Sequence, residues 1–313
     1  MNSLRRDIPG YKSLKVNITQ SQAHHNQPLR FVLNQSYFVL MLLAFSSCYS
    51  PRYVYSPPTQ NIPQINKKGD VILGGYFASG GGSSRRDYPG VHNYNLGMDL
   101  HSAYALSDHF AVMINKYNRW EKNDGANDFN PGDNAIVNYH RALTEFATGY
   151  CTSLRKDKEN SFFQVFGGVA VGKFRFNETS LNSGIPFTRF HSSNITKIFV
   201  QPGFILGQKK SFSTSFSSRF NAIFYNKIKT DYNSTELNNY FLEDLSSSPV
   251  FFWEPVMTFS FGFKKLKGIR LNIQSGFAAL MNRRFIDYRT INFAFGVTTD
   301  AELCKSSRKS NSR

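Results

Sequence analysis

The sequence predicts an all-β fold, an antiparallel up-and-down transmembrane β-barrel of about ten strands. Three observations predict it: an aromatic-rich and charge-poor composition, strands that alternate bulky with small residues, and connections that alternate long with short. Of the 313 residues, 15% are aromatic and only 19% are charged. So many strand-forming aromatic residues exclude a disordered chain. No apolar run approaches 18 residues, which excludes a bundle of membrane-spanning helices.

Ten apolar or alternating stretches follow one another between residues 70 and 300. Several of them are 13 residues or longer, whereas strands of globular proteins typically have about 5–6 residues. A tilted strand of roughly 9–11 residues crosses a bilayer, so these lengths favour membrane strands. The predicted strands cover residues 71–78, 94–106, 109–121, 136–154, 161–176, 187–206, 211–227, 250–264, 268–280 and 288–299.

Alternation with a period of two is clearest in the last four stretches. In 211–227, one face carries Phe212, Phe216, Phe220 and Phe224, and the opposite face carries serine, arginine and asparagine. A face of small polar residues suits the crowded lumen of a small barrel, and the bulky face then meets lipid. A soluble β-sandwich in the periplasm also produces alternation, and it stays open as an alternative.

The lengths of the connections separate these two architectures. Short connections lie around 107–108, 155–160, 207–210 and 264–268, and a long one stands before and after each of them. Outer-membrane barrels have short periplasmic turns and longer outer loops, so the alternation favours a barrel. In a ten-stranded barrel, both ends of the chain would lie on the periplasmic side. The long links are 79–93, 122–135, 177–186, 228–249 and 281–287.

Residues 1–47 are predicted to be a lipoprotein-type signal segment. Its length before Tyr37 reflects either a start codon placed too early or an extra segment removed with the signal. The nine apolar residues from Tyr37 to Phe45 fit a signal-peptide core and are too short for a helical span. Ser46 and Ser47 precede Cys48, which is the predicted lipidation site. The alternative is a buried strand that ends in Ser-Ser-Cys.

The remaining segments are a proline-rich tether at 48–69, the barrel at 70–300 and a basic tail at 301–313. Four prolines without apolar periodicity make the tether an expected extended spacer rather than a folded element. Because an even number of strands places both ends of the barrel chain in the periplasm, we expect a lipid on Cys48 to anchor the chain in the periplasmic leaflet of the outer membrane.

The chain resembles the outer-membrane β-barrel lipoproteins of Bacteroidota-type bacteria over residues 46–300. The resemblance is carried by Ser47-Cys48, the proline-rich tether, Lys68-Gly69-Asp70 at the start of the first strand, and Glu145-Phe-Ala-Thr-Gly-Tyr150. The chain departs from the usual barrel ending, because residues 301–313 follow its last strand where a terminal aromatic residue would stand. The resemblance implies location and architecture and no particular substrate.

Six ionisable residues are placed on the polar faces of the strands. Such groups are costly inside a membrane protein unless they are paired or hydrated, which makes them candidates for function. They either form ion pairs that close a narrow lumen or line a path for a proton or ligand. These luminal candidates are Asp99, Arg141, Glu145, Arg219, Glu254 and Arg270.

The sequence therefore predicts a non-enzymatic outer-membrane barrel lipoprotein, serving as envelope scaffold, small-solute passage or surface-binding protein. The alternative activity is an outer-membrane enzyme with carboxylates on the outer rim. That rim would use His92, Asp87, Asp124, Asp128, Asp133, Asp231, Glu236, Glu243 and Asp244. The first candidate for a recognition surface is the link 228–249, with Tyr232, Tyr240 and Phe241; alternatively these rings pack on the barrel mouth.

The basic charge of the chain indicates which partners it binds. There are 37 Lys and Arg against 21 Asp and Glu, a net charge of +16, scattered through turns, loops and the tail. This predicts contact with outer-membrane lipid, and with lipopolysaccharide phosphates as a candidate, and it predicts no nucleic acid. Histidine spacing predicts no metal site, and no cofactor motif is present in the sequence.

Overall fold

The structure is a computed structural model that describes residues 52–65, 67–81, 94–126, 134–154, 161–182, 185–209, 211–263, 265–266, 268–282 and 285–302. The chain divides into two compact units, 1–47 and 48–313, and all described residues belong to the second. The predicted lipidation site Cys48 lies outside the described residues.

Thirteen strands and one helix form the described chain. The ten long strands are β2 (Asp70–Gly81), β3 (Tyr94–Ala105), β4 (Phe110–Ala126), β5 (Asn134–Ser153), β6 (Ser161–Asn182), β7 (Ile185–Lys209), β8 (Phe212–Thr230), β9 (Val250–Gly262), β10 (Ile269–Phe277) and β13 (Ile291–Glu302). The short elements are β1 (Tyr53–Tyr55), α1 (Ser234–Asn239), β11 (Ala279–Leu280) and β12 (Asp287–Tyr288).

The ten long strands form a closed antiparallel barrel. Each pairs with its neighbour in chain order, and β13 closes the ring by pairing with β2 along its whole length, from Ile291 opposite Gly81 to Glu302 opposite Asp70. Closure leaves no sheet edge, so every strand finds backbone partners within the wall. The predicted barrel and its ten strands are confirmed. The link expected at 177–186 is instead mostly strand, because β6 extends to Asn182 and β7 begins at Ile185.

The outer surface of the barrel carries a belt of exposed apolar side chains. On β8 the rings of Phe212, Phe216 and Phe220 are 43%, 47% and 40% exposed, whereas Ser213 and Ser217 are buried inside. Similar side chains project from the other walls, including Phe77, Phe146, Met257, Phe293 and Phe295. The predicted lipid face is therefore the outer face. No helix in the described residues is long and apolar enough to span a membrane.

The pattern of faces reverses toward the end of the barrel that carries the long links, here called the long-link end. On β6, Val169 and Val171 point outward and are about half exposed. Beyond them the outward residues are Lys173 and Arg175, while Phe174 and Phe176 between them are completely buried inside. A wall with apolar residues outside meets lipid, and a wall with charges outside and aromatic rings inside meets water. The longer strands therefore project beyond the belt.

An aromatic cluster fills the inside of this projecting part. It includes Tyr53 and Tyr55 of β1, Tyr139, Phe174, Phe176, Tyr225 and Phe252 of the wall, and Tyr232 and Tyr240 of the link after β8. That link contains α1, which begins with a capping box between Asn233 and Glu236. Because Tyr232 and Tyr240 are buried, they pack on the barrel mouth, as the alternative interpretation of this link expected.

Residues 52–65, here called the luminal segment, run lengthwise through the barrel. Twelve of these fourteen residues are buried, and Ile62 and Gln64 are partly buried. The sequence predicted that this stretch is a tether outside the fold, and that interpretation was wrong. The segment is extended and has little regular structure, as its prolines favour, but the wall side chains surround it.

The belt gives a test on one strand. Replacing Phe216 by Arg places a charge among lipid tails, which costs about 2–4 kcal/mol near the bilayer midplane. Asn226→Arg changes the same outward face of β8 beyond the belt and is expected to cost less than about 0.5 kcal/mol. Guanidinium titration of barrels refolded into lipid vesicles measures both values. Equal losses for the two variants would contradict the position of the belt.

Candidate functional site

The candidate site is the lumen, because the buried polar residues of the wall converge there on the luminal segment. At the long-link end, the Arg52 guanidinium donates to Glu178 at 3.0 Å and forms an ion pair with it at 2.8 Å. The Tyr232 hydroxyl donates to the same carboxylate, and the Tyr240 ring lies 4.2 Å from the Arg52 Cζ. Burial raises the pKa of the Tyr232 hydroxyl, which keeps it protonated as a donor.

β1 of the luminal segment lies against the last link of the barrel. Tyr53 and Tyr55 pair in parallel with Asp287 and Tyr288 of β12, and the backbone N–H of Arg289 donates to the Tyr55 carbonyl at 2.9 Å. The Arg289 guanidinium lies 3.8 Å from the centre of the Tyr53 ring. Backbone pairing thus fixes the register of the segment at the long-link end.

Halfway along the lumen, side chains of the wall satisfy the segment's backbone. The Thr59 N–H and hydroxyl both donate to Asp99, at 3.0 and 2.6 Å, and the Asp99 carboxylate also binds Arg119. The Gln60 N–H donates to the Gln274 side chain at 2.7 Å. Because an unpaired buried N–H is costly, these wall residues replace the partners that a sheet would provide.

One wall glycine makes room for this arrangement. Gly97 on β3 pairs with Arg119 on β4, and a Cβ at Gly97 would overlap the guanidinium that reaches Asp99. Glycine at position 97 therefore allows the close approach of the Arg119 side chain.

The centre of the lumen contains a cluster of four charges. Glu145 binds both Lys197 and Arg219, and it also accepts from the Tyr117 hydroxyl at 2.7 Å. Glu254 stands directly opposite Arg219 on β9 and accepts from the Tyr55 hydroxyl of the luminal segment. Two carboxylates thus balance two cations. A second group, Glu121 with Arg141 and Arg289, lies nearer the long-link end.

The luminal segment reaches the opposite end, here called the turn end, at Gln64. Its side chain donates to Ser213 at 2.8 Å, and four residues later the Lys68 N–H donates to Asp108 in the turn between β3 and β4. The contacts of the segment therefore follow the lumen in order. They begin at Glu178, near the long-link end of β6, and finish at Ser213, at the turn end of β8.

Five of the six predicted luminal candidates are buried inside the barrel. Asp99, Arg141, Glu145, Arg219 and Glu254 take part in the ion pairs and hydrogen bonds described above. The sixth, Arg270, lies at the turn end, 3.7 Å from Asp300, with its side chain 17% exposed. All six therefore have polar partners, and none of the five buried residues faces an open channel.

Sequence reasoning missed several members of these networks. Glu121, Arg119, Glu178, Lys197 and Arg289 are all buried in the lumen. Alternation could have found Arg119 and Glu121, which share the inward face of β4 with Asn115 and Tyr117. Glu178 lies within the expected link 177–186, and the role of Arg52 depends on a segment that the sequence placed outside the fold.

The described residues leave little free space directly beside the luminal segment. Two cavities beside the luminal segment, one near Gln60 and Asn272 and the other near Tyr55 and Ile195, have volumes of about 30 Å³ each. A cavity of this size holds one or two water molecules. No group of three or more potential metal ligands occurs in the described part of the chain.

The rim carboxylates of the alternative enzyme are dispersed where the structure describes them. Glu236 caps α1 and binds Arg189 of the wall, and Asp231 accepts from the Phe190 N–H at 2.7 Å. Glu243 and Asp244 are exposed. Asp87, His92, Asp128 and Asp133 lie outside the described residues, as does the side chain of Asp124.

Comparisons with known proteins give no family. No family model matches the sequence, and no curated protein matches it. The chain is similar in structure to the translocator domain of the autotransporter NalP from Neisseria meningitidis, with a TM-score of 0.42, 8% identity, and coverage of 87% of this chain and 97% of that one. It is also similar to an outer membrane channel from Pseudomonas putida F1, with a TM-score of 0.37, 10% identity, and coverage of 77% and 100%. The barrel assignment rests on the strand pairing.

The central charge cluster predicts a compensating pair of variants. Glu145→Gln leaves Lys197 and Arg219 opposed by Glu254 alone, and the loss of one partner from a buried ion pair costs about 3–5 kcal/mol. Glu145→Gln combined with Lys197→Met again balances the charges, so it is expected to recover part of that loss. The temperature at which the folded band disappears from a heat-modifiability gel ranks the variants. A double variant less stable than Glu145→Gln would contradict charge balance.

Proposed function

We propose that the chain is an outer-membrane barrel whose lumen is closed by its own luminal segment, and that it serves as an envelope anchor or scaffold rather than as a solute passage or an enzyme. The observation that carries this proposal is the burial of residues 52–65 along the whole lumen. A solute path would need continuous hydrated space, whereas polar groups that could line it, such as Asp99, Glu145 and Glu254, are bound to the segment or to other wall residues.

The outer membrane is the proposed location because of the belt and the barrel. Apolar side chains that are 40–65% exposed, such as Phe220 and Phe77, surround a closed antiparallel wall. Large exposed apolar surfaces of soluble proteins are confined to patches, whereas a continuous belt is what a barrel presents to lipid. Basic residues beyond the belt, among them Lys173 and Arg175, supply charges for the phosphates of lipid or lipopolysaccharide.

The long-link end is proposed to face the outside of the cell. The connections at that end are long, and the strands β5 to β8 project there beyond the belt with charges outside and aromatic rings inside. The connections at the turn end are short, as periplasmic turns are. This orientation makes the aromatic cluster and α1 part of the surface that the cell displays.

The closed lumen predicts an electrically silent protein. Purified barrel in planar lipid bilayers is expected to produce no stable conductance steps under conditions in which a porin control conducts, because the cavities beside the segment hold only one or two waters. Stable conductance of the folded wild-type protein would contradict the proposal, and the gel shift on heating verifies in the same preparation that the barrel is folded.

Acylation of Cys48 remains a proposal, supported by the apolar run and the small residues before it. Metabolic labelling with an alkyne fatty acid is expected to mark the wild-type protein and to miss Cys48→Ala, while Cys151→Ala, which removes a buried thiol of β5, keeps the label. Equal labelling of the wild type and Cys48→Ala would contradict acylation at this residue.

A further inference from the structure

We infer that the N-terminal end of the luminal segment emerges at the long-link end of the barrel, on the side of the membrane opposite to the start of β2. This inference rests on the proposed membrane location. Its consequence is that Cys48 and any lipid on it lie at the cell surface rather than in the periplasmic leaflet. The direction of the luminal segment, from Arg52 to Ile65, carries the inference.

The order of contacts fixes that direction. Arg52 binds Glu178, which is four residues from the long-link end of β6, and Ser56 accepts from Asn95, the second residue of β3. Gln64 binds Ser213 at the start of β8, at the opposite end. The chain therefore crosses the barrel once before β2 begins, and this crossing moves the N-terminal end to the other side from Asp70.

The N-terminal end of the luminal segment leaves the lumen where the barrel wall projects least beyond the belt. β1 pairs with β12, in the link between β11 and β13, where the neighbouring strands β10 and β13 end at Phe277 and Ile291 without a projecting part. Apolar residues remain exposed on this side: Phe277 is 45% exposed, Met281 59% and Phe285 74%. An apolar rim beside the exit suits contact with the outer leaflet.

The distance to Cys48 is short. It precedes Arg52 by four positions, and a fully extended chain spans at most about 3.6 Å per residue, or roughly 14 Å in total. A return to the periplasmic side would require a second crossing of a lumen that the segment already fills. We therefore expect a lipid on Cys48 to meet the outer leaflet at the long-link end.

The path also sets an order of assembly. A diacylated cysteine cannot pass through a closed lumen whose cavities measure about 30 Å³. If Cys48 is acylated before the barrel folds, the wall strands must therefore close around the luminal segment. The Arg52–Glu178 pair and the β1–β12 pairing then hold the segment at the mouth.

Epitope tags at three positions test the inference in intact and permeabilised cells. One tag is inserted between Ser50 and Pro51, one near Asn238 in the link after β8, and one near Lys209 in the turn between β7 and β8. The tag at 50–51 is expected to react as the tag near Asn238 does. If it reacts as the tag near Lys209 does, the inference is wrong, whichever side the barrel mouth faces.

The same experiment separates this inference from the proposed function. Antibody binding to the tag near Asn238 on intact cells, with the tag near Lys209 protected, supports the proposed orientation. The reverse pattern for these two tags contradicts that orientation and leaves the direction of the luminal segment to be decided by the tag at 50–51.

A cross-linking variant verifies that the tagged chain keeps the segment in place. In a Cys151→Ser/Cys304→Ser background, Ser56→Cys with Asn95→Cys brings two thiols together where the wild-type side chains are 3.1 Å apart. A short bis-thiol reagent is expected to join them, whereas Ser56→Cys with Ser213→Cys, at opposite ends of the lumen, stays unlinked. Linking of the second pair and not the first would reverse the segment and overturn the inference.

Discussion

Charge and backbone polarity inside the lumen must be satisfied at close range, and the rest of the structure depends on this constraint. A fourteen-residue segment with little regular structure fills the barrel, and its N–H and C=O groups find partners on the wall, such as Asp99 and Gln274 for Thr59 and Gln60. The wall in turn balances Glu145 and Glu254 against Lys197 and Arg219. Wall carboxylates such as Asp99 and Glu254 also accept from Thr59 and Tyr55 of the luminal segment, so wall and segment stabilise each other.

The boundary between lipid and water explains why one strand carries two opposite patterns. Within the belt, β6 turns Val169 and Val171 outward and Gly168 and Ala170 inward. Beyond it, the same strand turns Lys173 and Arg175 outward and Phe174 and Phe176 inward. The projecting part is therefore built as a soluble barrel, with its aromatic cluster completed by β1 and by Tyr232 of the link after β8. The luminal segment belongs to both parts.

Sequence patterns were sufficient to predict the strands of the barrel wall but not the segment that fills its lumen. Ten strands, the faces of the belt and most strand ends follow from period-two alternation, because the side-chain direction of a strand depends only on local backbone geometry. The reversal of faces in the projecting part was not predicted. The luminal segment has no such periodicity: its proline-rich composition is equally typical of a solvated tether, and only long-range contacts such as Arg52 with Glu178 distinguish the two. For the same reason the ionisable candidates could be placed on inward faces, while their pairing across the barrel could not be predicted.

Amide hydrogen exchange of residues 56–65 in the folded protein measures whether the lumen holds the luminal segment. A peptide covering these residues is expected to exchange as slowly as peptides from the neighbouring strands β3 and β9, because water reaches its N–H groups only when the barrel opens. Exchange within seconds, at the rate of an unfolded chain and with the strands still protected, would show that the lumen does not hold the segment.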